Sequence, residues 1–312
     1  MPPAVVPTNP PLMESPRGSQ IALIVLLVTQ TLVSFAASAA KMLVLVLALA
    51  PGVLAPGTAV AWLALLPAVL AAPFLLFSPL FAWLADRFSS RTMLSVSILL
   101  LLSLLGALAL ALHERSFLLT ALVFVLLAVH SALVSPNKRT MLREVARPQR
   151  FNAAVTLLEM FTITAVIGGS FAAVWAFEQL LPRDGNVWSA AEKVSLGLPV
   201  LVALTLVTFL PARRAPERAE VPKPPKLLTR QVSHLAELLG NPRLRMAALG
   251  ILFYHLLGGA LVLVLIDAGV RWVALNSGAV SVASLAVTLL LFSGVGALTG
   301  NLLAGLVSRG RT

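Results

Sequence analysis

Cysteine is absent from the 312 residues. That excludes a disulfide framework, a thiolate metal site and a cysteine nucleophile. Histidine is scarce, with His113, His130, His234 and His255 as the full set and no ligand-like spacing between any two. No metal site is expected. No G-x-x-x-x-G-K-[ST] phosphate loop occurs, so the chain does not drive its own work with ATP, and no cofactor is expected. The most telling shortage is charge. Charged residues make up 11% of the chain, against about 25% in a soluble domain. A surface that poor in charge cannot be wetted, so lipid is the solvent for most of the chain.

What fills the sequence instead is apolar, with 59% hydrophobic residues and a mean hydropathy of +0.95. A membrane span needs about 20 largely apolar residues. Eight segments qualify, at 20–49, 58–84, 92–112, 117–135, 152–180, 195–210, 246–267 and 279–308, the sixth being the shortest, with a start nearer Trp188 as its alternative. They must be helices, because hydrocarbon satisfies no backbone group and no segment alternates like a barrel strand. The first run is too long for the core of a signal peptide, which spans about 7–15 residues. The fold class is therefore an all-α polytopic membrane protein.

The net charge of +11 does not indicate nucleic acid, because the basic residues sit in short segments between apolar runs rather than on one soluble face. With the N-terminus in the cytoplasm, 18 of the 23 Lys and Arg fall in inside segments, and only Arg115, Arg183, Lys193 and Arg271 fall outside. That asymmetry follows the positive-inside bias and gives a multi-pass protein of the cytoplasmic (inner) membrane with its N-terminus inside. Residues 1–19 are proline-rich and read as a disordered cytoplasmic tail. Residues 20–210 hold six spans. Residues 211–245 read as a central cytoplasmic linker, Pro-rich at first and then an amphipathic helix with Leu227, Leu228, Val232, Leu235 and Leu238 near one side. Residues 246–312 hold the last two spans.

Charges inside spans are costly and have a use. One at mid-depth costs at least about 2.5–3.5 kcal/mol and usually faces a bundle interior or a watery cavity. Lys41 in span one and Glu159 in span five are such groups. Lys41 suits a phosphate as a point charge, and a Lys with a Glu in one cavity suits a zwitterionic headgroup. The plainer alternatives are snorkelling for Lys41 and a structural pair or cap for Glu159. Gly168 and Gly169 in span five, like Gly296 and Gly300 in span eight, put small residues where helices approach closely.

Two segments between spans carry motifs. Ser78-Pro79-Leu-Phe-Ala82-Trp-Leu84-Ala85-Asp86-Arg87-Phe-Ser-Ser-Arg91 lies between spans two and three. Asp86 stands at a helix end, where it can pair with Arg91 or with a neighbouring helix N-terminus. Such a latch can hold one access state and release in another. The run resembles the G-x-L-A-D-R-x-G-R signature of the major facilitator superfamily, with Ala82 and Ser89 or Ser90 in place of its glycines. Between spans four and five, Ser135-Pro136-Asn-Lys138-Arg139-Thr-Met-Leu142-Arg-Glu144 resembles the S-P-x-K-Y-G-x-L-x-E run of bacterial lysophospholipid transporters, a branch of that superfamily. Ala153-Ala154-Val155-Thr156-Leu157-Leu158-Glu159 is similar to the branch's A-A-N-x-L-x-E. In span one, Gln30, Ser34, Phe35, Ser38 and Lys41 follow its Q-F-x-x-F-x-D-N-x-x-K run, with Ala37 and Ser38 replacing the Asp and Asn.

This resemblance implies a major facilitator bundle with about 8 of an expected 12 helices present, and 246–312 as the first two helices of a truncated second bundle. The coding sequence is then expected to continue for four more spans. It implies a secondary transporter, not an enzyme, working by alternating access on a lysophospholipid, with membrane lipid and a cytoplasmic acyltransferase as partners. Lys41, Glu159, Ser38 and Gln30 become the substrate-binding set. Asp86, Arg87, Arg91, Ser135, Pro136, Lys138 and Glu144 become the conformational-switch loops. Drug efflux of the macrolide type is the alternative within the superfamily. A non-transporting membrane scaffold, or an inactive fragment, is the alternative outside it.

Overall fold

A computed structural model describes residues 16–50, 52–146 and 151–209, together with isolated positions between 240 and 300. The linker at 211–245 and spans seven and eight lie almost wholly outside the described residues. Those residues form six helices: α1 (Pro16–Leu49), α2 (Pro56–Arg87), α3 (Ser90–His113), α4 (Phe117–Val145), α5 (Phe151–Asp184) and α6 (Val187–Phe209). Helices α1, α3, α4, α5 and α6 each hold a stretch long and apolar enough to cross a membrane. The 34 residues of α1 reach about 50 Å, well beyond the roughly 30 Å hydrocarbon layer.

Local chemistry sets the corners. Ser89 caps α3, its hydroxyl accepting from the Thr92 N–H at 3.1 Å. Thus Ser89, one of the two serines that could stand for the signature's second glycine, serves as a helix cap. Asn186 accepts from the Trp188 N–H at 2.9 Å and starts α6. Gly185, at φ +61, ends α5 in the left-handed region that only glycine enters freely. Across this corner Asp184 accepts from Lys193 at 2.6 Å and from Ser189 at 3.1 Å. The α2–α3, α3–α4 and α5–α6 turns are two or three residues long, so chain neighbours run antiparallel, and α1 is antiparallel to α4.

Helix α1 is the hub. In its most apolar stretch 72% of residues are buried, against 28% in α5 and in α6. It packs most extensively on α5. There Gly169 lies so close to the Phe35 carbonyl that a Cβ would collide with backbone, whereas a Cβ on Gly168 would meet the Phe35 ring at an ordinary 3.7 Å. On α3, Leu94, Ile98, Leu101, Leu105 and Leu108 are buried while Val96, Leu99 and Leu110 are exposed. A helix apolar all round belongs where the outer face also meets hydrocarbon.

The structure corrects three boundaries. α6 begins at Val187, eight residues before 195 and beside the alternative start near Trp188, because polar Ser189, Glu192 and Lys193 occupy its first turns without breaking it. The segment holding Ser135, Pro136, Lys138 and Glu144 is not a loop. α4 runs through it to Val145 with Pro136 inside the helix. Polar residues end an apolar run but not a helix, and a proline removes only one backbone donor. The α2–α3 connection is likewise only Phe88 and Ser89, so Asp86 and Arg87 close α2 and Arg91 lies in the first turn of α3.

Candidate functional site

A cavity of about 190 Å³ opens among α1, α2, α4 and α5. α1 lines it with Ser34, Ser38 and Lys41, and α4 with Ser131, Ser135 and Lys138. Both trios have the spacing i, i+4, i+7, which gathers three side chains on one helical face. Lys41 Nζ donates to Ser131 Oγ at 3.2 Å, and Ser131 donates on to the Leu127 carbonyl at 2.9 Å. Because α1 and α4 are antiparallel, this contact joins the end of one trio to the start of the other. The seven residues from Ser131 to Lys138 rise about 10 Å. A serine-lined lane therefore carries an ammonium group near each end.

His130 completes the α4 wall and is 1% exposed. Its Nε2 lies 2.9 Å from the Ser97 carbonyl oxygen. A carbonyl can only accept, so Nε2 carries the hydrogen and Nδ1 presents a bare lone pair. Nδ1 is buried without a hydrogen-bond partner. Thr162 of α5 adds a further hydroxyl. The lip is apolar, formed by Phe74 of α2 and Val166 of α5, which are 42% and 41% exposed. No acidic side chain among the described residues lines the cavity. Lys138 is close enough to Lys41 and to Glu159 for its charge to act on both.

The residues singled out in the sequence separate here. Lys41 and Ser38 line the cavity. Gln30 is 1% exposed, one helical turn before Ser34, and its amide oxygen and nitrogen both lack partners. It does not line the cavity. Glu159 is exposed on α5 and reaches the site only through its field at Lys138. Ser135 and Lys138, expected in a switch loop, stand in the cavity wall instead, because the helix they extend turns them toward α1. Pro136 is half-buried beside them. Glu144 accepts from the Ser90 hydroxyl at 2.7 Å, fastening the end of α4 to the start of α3. Asn137 Nδ2 donates to the Ser90 carbonyl at 3.4 Å alongside. The Arg87 guanidinium lies 5.3 Å from the Trp83 ring centroid, a cation–π contact at the end of α2. For Asp86 the described structure extends to the backbone alone.

Sequence reasoning missed Lys138, Ser131 and His130 as companions of Lys41. A signal was there: the pattern S-x-x-x-S-x-x-K occurs in span one at 34–41 and again in span four at 131–138. Its repetition on two spans marks two matching polar faces, which only need to meet.

Neither a curated protein nor a solved structure matches the chain. A family model for the Major Facilitator Superfamily does match, over residues 21–312. With the apolar helices and the polar cavity inside their bundle, this places the chain in the Major Facilitator Superfamily as a multi-pass membrane transporter.

Proposed function

We propose that the protein moves a lysophospholipid across the cytoplasmic membrane by alternating access, with the phosphate held in the α1–α4 cavity. One observation carries this reading: the cavity joins two lysines and a set of hydroxyls to an apolar lip. Lys41 and Lys138 bring two positive charges and Glu159 one negative charge nearby, a surplus of one that a phosphodiester neutralises. Ammonium and hydroxyl donors suit phosphate oxygens. Phe74 and Val166 give an acyl chain a way out of the cavity along apolar surface. A cationic drug would meet the same two ammonium groups and be repelled, which disfavours the efflux alternative. A scaffold has no need of two half-buried lysines facing an unfilled space.

Uptake of a fluorescently labelled lysophospholipid by liposomes containing the purified protein tests the reading. Transbilayer movement well above empty liposomes is expected, and movement equal to theirs overturns it. The orientation is tested separately. Reporter fusions after Pro148 and after Lys226 should read cytoplasmic, and one after Gly185 external, in keeping with the excess of basic residues in the inside segments. Gly185 and Lys226 reporting one side would discard it.

A further inference from the structure

We propose that His130 is a proton-binding site of this cavity, and that a proton and an anion bind there together. The proposal rests on the anion-binding reading of the two lysines but concerns what else must bind with the anion.

Geometry fixes the ring. The Ser97 carbonyl, 2.9 Å from Nε2, holds that nitrogen as the donor, so Nδ1 is left as the only basic position. Nδ1 lies buried in the cavity wall and lacks a partner. A buried polar atom without a hydrogen bond is costly and rare. Such an atom in a transporter cavity suits something that arrives and leaves.

The charges around it decide when a proton can bind. Lys41 faces His130 from α1, and Lys138 lies two turns along α4 itself; all three line the one cavity. From α5, exposed Glu159 acts on Lys138. α3 offers the Ser97 carbonyl, and its own charged or titratable groups, Arg91 and His113, sit at its ends, as do Asp86 and Arg87 of α2. In the empty cavity an imidazolium would be a third cation in a small apolar enclosure. An anion seated between the lysines reverses that balance. The Nδ1 lone pair then takes a proton from water, forming an N–H bond that donates to the anion, and the released hydroxide stays in the aqueous phase. Each ligand favours the other by the same factor, as linkage requires. An inward proton gradient then drives anion entry.

Proton uptake on anion binding tests this with the full-length protein in weakly buffered detergent solution, read by a pH-indicator dye. Lysophosphatidylglycerol, whose phosphodiester keeps one charge at all working pH values, is the first probe and inorganic sulfate the second. The wild type is expected to take up close to one proton per anion bound near neutral pH. His130→Gln, whose amide nitrogen stands near the Nε2 position and can still donate to Ser97, should bind more weakly and take up almost none. Binding of either anion by the wild type without proton uptake overturns the proposal. So does equal uptake by His130→Gln, which would assign the proton to a lysine. If sulfate gives the coupled uptake and lysophosphatidylglycerol does not bind, the proton site stands and the lipid reading falls. If neither probe elicits uptake, the proposal is overturned.

Discussion

Helix α1 meets α5 and α4 on two faces that solve opposite problems. Toward α5 the contact is dry and close, with Gly169 set against the Phe35 carbonyl and no side chain between the backbones. Toward α4 the same helix offers Ser34, Ser38 and Lys41, and the gap holds a cavity of about 190 Å³. Both faces interrupt an apolar run with small or polar residues, yet one closes the bundle and the other keeps it open. In lipid, apolar side chains gain little by leaving hydrocarbon. Tight packing then needs small residues, and an open polar space needs groups with a function to justify their cost.

Emptying the polar face should give the largest effect. Lys41→Ala and Lys138→Ala each remove one charge-assisted donor, worth about 1.5–3 kcal/mol, so transport should fall roughly ten- to hundredfold while membrane expression stays near normal. Uptake at wild-type rates in both would return the lysines to snorkelling or structural roles. Glu159→Gln is expected to reduce transport less than either lysine change, because Glu159 acts from an exposed position through Lys138. A loss equal to that of Lys41→Ala would instead put the carboxylate in direct contact with substrate.

The dry face is probed by a glycine pair. Gly169→Ala forces α1 and α5 apart against rigid backbone and should cost about 1–3 kcal/mol, seen as a melting temperature several degrees lower in detergent. Gly168→Ala should stay within about 0.5 kcal/mol, since its new methyl meets only the edge of a ring. Equal melting temperatures for the two variants would show that the close approach is not needed. An effect smaller than that of Gly169→Ala belongs to the clamp between α3 and α4. Ser90→Ala removes the hydroxyl that donates to Glu144 and should cost about 1 kcal/mol, measured the same way, with transport little changed. A tenfold fall in transport would instead make the Ser90–Glu144 contact part of the switching machinery.

Much of this was legible in the sequence, for reasons the two faces make plain. The length of an apolar run reports a span directly, so six helices stand close to their expected places. Helix ends were harder. The run of hydrophobicity stops where the chain leaves hydrocarbon, but the backbone hydrogen bonds of α4 continue ten residues past that point, through Pro136 to Val145. Lys41 announced itself because a charge in a span is rare. Lys138 did not, because a lysine beside Arg139 and Arg143 looks like any cytoplasmic cation until the helix is seen to carry it back toward α1.

The sequence alone determined that lipid is the solvent, that the structure is helical, and that Lys41 is a charge within a span. These follow from composition and from spacing within one helix, which are local properties. Only the tertiary structure decided that Lys41 meets Ser131, that Lys138 shares its cavity, that Glu159 stands outside, and that the Ser97 carbonyl leaves one nitrogen of His130 bare. Those depend on how two helices, 90 residues apart at the Lys41–Ser131 contact, are rotated and set in register. Nothing in either helix fixes that by itself; it is settled by the close packing of α1 on α5 and of α4 on α2 and α3.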